Sequence, residues 1–228
     1  MKLPPCPQLI LISLVLVTVL AIIALGIYSF VIKAEAASIL ADVSRIEVGT
    51  STLSDVEKLA ERHTRHCRWS GRQGDRSDYS FAIRNTWLSY LRIEPAAKFD
   101  AWVTVNKGTV QSVHVDVMRD TRVFPTAPSG GMVEEYVKYP ENYRAGETHY
   151  GFPTPIGKPY LLVALDVRAT AEQREHAYAL SLRCLVKPGG GCDLPCDYLP
   201  LAWKDWEAEL NSEGWGFGNY YAGRARCK

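Results

Sequence analysis

The sequence predicts an α+β protein: one N-terminal transmembrane helix, then an extracytoplasmic domain of short helices packed on an antiparallel sheet. Three observations predict it. Leu9 to Ile32 is a run of 24 residues without a charged side chain. Two helical patterns follow, around Ile39 and Leu59. The apolar spacing then changes from three-to-four to two, the change from helix to strand.

Taken in order, residues 1–8 are a short tail. Residues 9–32 form the span. At about 1.5 Å per residue they cover roughly 36 Å, against a hydrocarbon core of about 30 Å. A helix also pairs its own backbone N–H groups, which lipid demands. Ala34-Glu35-Ala36 has the small-x-small form of a signal-peptidase site. Signal-peptide apolar cores run to about 7–15 residues, and this one is far longer. Lys33 also separates it from the site. The expectation is an uncleaved signal-anchor. Cys6 precedes the apolar run, so it is no lipid-attachment cysteine.

Orientation follows from the cysteines. Lys2 and the amino group balance Lys33 and Arg45 on the positive-inside count. Cys67, Cys184, Cys192, Cys196 and Cys227 all follow the span, several of them near Gly-rich sequence, which suits an oxidising compartment. The N-terminus is therefore expected in the cytoplasm and the domain in the periplasm.

The domain is formally neutral. Of 26 Lys+Arg and 25 Asp+Glu, only Lys2, Lys33 and Glu35 precede Ala37, leaving 24 of each sign. Neutrality argues against nucleic acid as a partner, since phosphate binding needs local positive charge. About 190 residues suffice for one substantial core or two small ones.

Residues 36–118 read as a helix-helix-sheet unit. Ile39, Leu40, Val43 and Ile46 give a short helix over Ala36–Ile46, broken at Gly49. Thr52-Leu53-Ser54-Asp55 and Ser54-Asp55-Val56-Glu57 are capping boxes for a second helix reaching about His66. Tyr79, Phe81 and Ile83 alternate as a strand, as do Leu88, Tyr90 and Arg92 by its aliphatic stem. Phe99, Ala101, Val103 and Val105 lead to Asn106-Lys107-Gly108, a hairpin turn with Gly108 at positive φ. Val113, Val115 and Val117 carry the return strand.

Residues 119–131, with Pro125, Pro128 and Gly130-Gly131, read as a loop or linker. Residues 132–213 form a strand/helix part. A strand covers Val133–Tyr139, and the continuous apolar run Tyr160–Val167 is a strand buried on both faces. Thr170-Ala171-Glu172-Gln173 caps a helix to about Leu185. Pro200 opens a last helix with Trp203, Trp206 and Leu210 on one face. Residues 214–228 are a tail.

The stretch from Ile39 to Val117, with Gly49-Thr50-Ser51-Thr52-Leu53-Ser54-Asp55-Val56 before its second helix, resembles the BamE/SmpA type of small envelope domain. That family has the β-lactamase-inhibitor-protein fold, two short helices and then a three-stranded sheet. The resemblance covers about a third of the chain. The chain departs from the family in lacking a lipoprotein cysteine and in adding a long C-terminal half. The resemblance implies an envelope setting and a non-catalytic scaffold, and it assigns no functional residues.

Four groups of residues are candidate sites. Arg62, Arg65, Arg68, Arg72 and Arg76, with His63 and His66, fall within 15 residues opposed only by Asp75. They suit anion or lipid-headgroup binding, and equally a solvated helix end whose cations complement the helix dipole. Cys184 and Cys192 are expected to form a disulfide across seven residues ending in three glycines. Cys196 competes for Cys184, and Cys67 is left to Cys196 or Cys227. Zinc would want closer Cys pairs and four ligands, so no metal is expected. His66-Cys67 are helix neighbours about 100° apart, too divergent for a catalytic pair. His114 and Asp116 share one strand face, as a base with its orienting carboxylate or as an ordinary polar face opposite the valines.

Together these readings predict a membrane-anchored, non-catalytic binding or scaffolding domain. Its partners are the lipid bilayer and an envelope protein, and no cofactor is expected. A periplasmic thiol- or metal-dependent hydrolase would need His114, Asp116 and a cysteine in one pocket. A membrane-surface anion or lipid-headgroup sensor would use Arg62 to Arg76.

Overall fold

The computed structural model of the chain describes residues 6–86, 96–119, 129–138, 149–151, 160–186, 192 and 194–212. It is an α+β fold: a long apolar helix and a mixed sheet with short helices on it.

The first helix, α1, runs unbroken over Cys6–Val43. The expected break between the apolar run and a separate helix from Ala36 is absent. Lys33-Ala34-Glu35-Ala36-Ala37 holds no Gly or Pro, and alanine is the best helix former, so nothing stops propagation. Its two halves have different surroundings. Leu9 to Leu20 face outward all round, while Ile32, Ala36, Ile39 and Val43 form a buried stripe at helical spacing. Among the described residues α1 is the one helix long and apolar enough to cross a membrane.

Gly49, at φ +86°, turns the chain after α1. Helix α2 covers Leu53–Arg62. The Asp55 carboxylate accepts from the Thr52 N–H (2.9 Å) and hydroxyl (2.8 Å), so the first capping box is the one used. Seven strands follow: β1 Cys67–Gln73, β2 Arg76–Asn85, β3 Ala97–Asn106, β4 Thr109–Arg119, β5 Ser129–Tyr136, β6 His149–Gly151 and β7 Tyr160–Asp166. Their order in the sheet is β1-β2-β3-β4-β5-β7-β6. The β1-to-β5 meander is antiparallel, and β5 and β7 pair in parallel. Lys107 (φ 50°) and Gly108 (φ 80°) make the two-residue turn between β3 and β4. The run through Leu88, Tyr90 and Arg92 lies outside the described residues, as do the central residues of the expected loop 119–131 and the tail.

Beyond the meander come α3 Ala171–Tyr178, a 3₁₀ turn Leu182–Leu185, α4 Pro195–Tyr198 and α5 Pro200–Ser212. The helix expected to reach Leu185 ends at Tyr178. Its apolar spacing is satisfied by the 3₁₀ turn instead, which buries Leu182, Cys184 and Leu185. The described helices share one core with one face of the sheet. A cross-strand row, Phe81–Ala101–Val115–Val133–Val163, runs through that core. Gly131 lets α4 approach: a Cβ there would stand 2.8 Å from Leu199 and 2.9 Å from Tyr198.

Arg174 of α3 fastens the top of the molecule. Its guanidinium donates to the carbonyls of Ser44 (3.3 Å) and Ile46 (3.0 Å) and pairs with the buried Glu135 carboxylate at 3.2 Å. Cys184 and Cys192 sit at disulfide distance, with Cα atoms 5.7 Å apart.

Candidate functional site

Side chains alternate across a strand, so burying Val113, Val115 and Val117 puts Ser112, His114 and Asp116 on the opposite face. The same rule places Lys98, Asp100, Trp102 and Thr104 of β3 and Met132, Glu134 and Tyr136 of β5 there. Register then decides the neighbours. Trp102 stands opposite His114, His114 opposite Glu134, and Asp100 opposite Asp116.

The result is a linked polar cluster. His114 Nδ1 bonds Glu134 Oε1 at 3.0 Å, and its Nε2 lies 3.8 Å from Asp116 Oδ2. At 3.8 Å the second contact is an ion pair without a hydrogen bond. The Tyr136 hydroxyl donates to Glu134 Oε2 at 2.9 Å. Lys98 pairs with Asp100 at 2.8 Å. Trp102 meets the His114 ring edge-on, with centroids 4.7 Å apart. Burial opposes a charge on His114, but Asp116 and Glu134 outweigh it and raise the imidazole to about 9. Burial also holds the Asp116 carboxyl above its ordinary range, against His114 and Lys98. For Glu134 burial is overcome by the bonds from His114 and Tyr136, and its pKa falls.

This arrangement favours holding over reacting. A general base works best with a pKa near the operating pH, and an imidazolium pinned between carboxylates has no free lone pair to offer. Among the described residues no cluster of His, Cys, Asp and Glu could hold a metal ion. At the edge of the cluster lies an open groove of about 510 Å³. Arg76, Asp78, Trp102, Thr104, Ser112 and His114 line it. Arg76 Nε bonds both Asp78 oxygens at 2.9 and 3.0 Å, and the Thr104 hydroxyl donates to Asp78 at 2.7 Å. Asp116 Oδ1 is buried without a hydrogen-bond partner among the described residues.

The arginines of the sequence cluster are distributed over three elements. Arg62 Nη1 pairs with Asp42 (2.9 Å) and Arg65 with Glu35 (3.3 Å), both acids on α1. His63 joins Asp42 at 2.8 Å and His66 joins Glu35 at 3.2 Å. Arg68 and Arg72 are exposed on β1, and Arg76 belongs to the groove. The first part of the positive run, Arg62 to His66, is thus met by charge from α1, which local sequence does not reveal.

The described cysteines of the domain stay apart from His114. Cys67 packs against the core from the helix side. Cys196 is itself disulfide-bonded. Cys184 and Cys192 belong to the core as well, and Cys227 lies outside the described residues.

Sequence reasoning found His114 and Asp116 but missed Trp102, Glu134 and Asp100. Alternation along β3 and β5 is the signal that could have placed them on this face. Register across the long β4-to-β5 connection, which unites them, is a tertiary property. No protein-family model, curated protein or solved structure matches the chain.

Proposed function

We propose that the protein is a single-pass, membrane-anchored domain that binds a polar ligand in the Trp102–His114 groove, without chemistry. The observation that carries this reading is the groove's composition. An aromatic ring, two hydroxyls and two cations, each cation tied to a carboxylate, offer contacts to a ligand but no poised nucleophile or base. Among the described residues, Cys67, Cys184 and Cys192 pack on the core side of the sheet, away from His114. An envelope scaffold is the role that the BamE/SmpA-type resemblance implies, and we keep it as part of this proposal.

The anchor reading rests on α1. Cleavage after Ala36 would cut a continuous helix between Ile32 (4% exposed) and Ile39 (0%), both buried in the domain core. A domain whose core begins inside the apolar run is built to keep that run. The disulfide at Cys184–Cys192 supports an oxidising, periplasmic side for the domain and a cytoplasmic N-terminus.

Photo-crosslinking tests the groove. A benzoylphenylalanine at Ser112 in membrane-embedded protein is expected to yield an adduct that Trp102→Ala abolishes. The same group at Lys107, on the hairpin tip, is expected to yield none. Equal adducts at both positions, or an adduct indifferent to Trp102, would contradict the reading.

A further inference from the structure

We infer that the end of the sheet formed by Asn85 and Ala97 lies at the level of the phospholipid headgroup layer, with no linker between the span and the domain. This rests on the anchor reading above and adds the seat of the domain.

Three ties level α1 against the sheet. At the far end, Gly49 N–H donates to Val110 O (2.9 Å) just beyond α1, and Arg174 holds Ser44 and Ile46. In the middle, Glu35 holds His66, whose carbonyl accepts from Ala82 N–H at 3.0 Å. At the near end the 3₁₀ turn packs on α1, and its Leu185 carbonyl accepts from the buried Asn85 amide at 2.7 Å. The helix and strand β2 therefore run side by side.

Lengths then fix the membrane plane. Tyr28 is the first residue of α1 packed against the domain core, and Ile32 is buried there. Acyl chains cannot occupy the side of the helix that the domain covers. The stretch left to them, Leu9–Ile27, is 19 residues, about 28 Å, which matches a hydrocarbon core of about 30 Å. From Glu35 back to Ile27 is about 12 Å of helix. From Ala82 on to Asn85 is about 10 Å of strand in the same direction. The sheet end and the hydrocarbon boundary coincide within a few ångströms. The residues at that level suit headgroups: Lys33 and Arg84 are exposed, and Arg183 on the 3₁₀ turn is half-exposed. Tyr28 sits at the interface depth that tyrosine favours.

Depth-dependent quenching tests the seat. Full-length protein with Cys6→Ser and Cys67→Ser carries a fluorophore at Arg84→Cys or, separately, at Lys107→Cys, in phosphatidylcholine nanodiscs. Headgroup-attached nitroxide lipid is expected to quench the probe at 84 several-fold more than that at 107. Arg183→Cys provides a second rim position and is expected to behave like 84. Protein that stays in the nanodisc with none of the probes quenched overturns the seat and leaves the anchor reading intact. Preferential quenching at 107 overturns it too. Protein that fails to remain in the nanodisc overturns both.

Discussion

Single residues carry the chemistry of the second sheet face. His114 is the clearest case, because its pKa is raised to about 9 from 6.5. The folded state holds the proton more tightly than the unfolded chain. The stabilisation is therefore complete below about pH 6.5 and is lost as pH rises through about 9. His114→Gln removes it. The difference in melting temperature between wild type and variant is expected to be constant below pH 6.5 and to shrink towards pH 9. A difference that grows with pH would contradict the ion-paired imidazolium. Gly131 tests packing in the same way. A methyl there meets Leu199 and Tyr198 inside van der Waals distance, so Gly131→Ala should cost about 1–3 kcal/mol in denaturant unfolding. An unchanged midpoint would mean that α4 moves freely off β5.

At the scale of elements, the anchor reading gives α1 two jobs on two stretches of one helix. Substitutions separate them. Ile39→Ala, at a fully buried position, is expected to destabilise the domain by about 2–5 kcal/mol without releasing the protein from membranes. Leu16→Arg is expected to impair insertion, at about 2.5–3.5 kcal/mol for a charge near the span centre. Domain folding should survive it. A membrane-retention loss in the first variant, or none in the second, would contradict the division. The Cys184–Cys192 bridge belongs here too. It closes a short loop and should contribute about 2–3 kcal/mol. Non-reducing peptide mapping is expected to recover the two cysteines joined, and Cys184 found only as a thiol would remove the bridge.

What the sequence discloses and what it withholds divide along the same lines. Local chemistry was legible: the Thr52–Asp55 capping box, the turn at Gly49, the Lys107-Gly108 hairpin and the buried run of β7. So were the valines of β4 and, through them, the face of His114 and Asp116. Readings that needed distant partners were not. The parallel pairing of β5 with β7 depends on a crossover that no period encodes. The acids that meet Arg62 and Arg65 lie 20 and 30 residues away on α1. The early end of α3 at Tyr178 was hidden because a 3₁₀ turn repeats its apolar residues almost as a helix does. The continuity of α1 could have been read, since Lys33 to Val43 contains no helix breaker.

For the whole molecule, the apolar run and the buried stripe of the domain core are parts of one helix, which is the ground for proposing that the chain stays uncleaved and fixed to the membrane. On that proposal the apolar span, the buried stripe of α1 and the groove on the far face of the sheet belong to one unit, and the proposed ligand face stands at a set height above the bilayer. The most direct test is the intact mass and N-terminal sequence of protein recovered from carbonate-washed membranes. The expected result is a full-length chain, beginning near Met1 and retained in the membrane pellet. A soluble product beginning at Ala37 would contradict it, because the helix that joins the two halves would have been cut through its core.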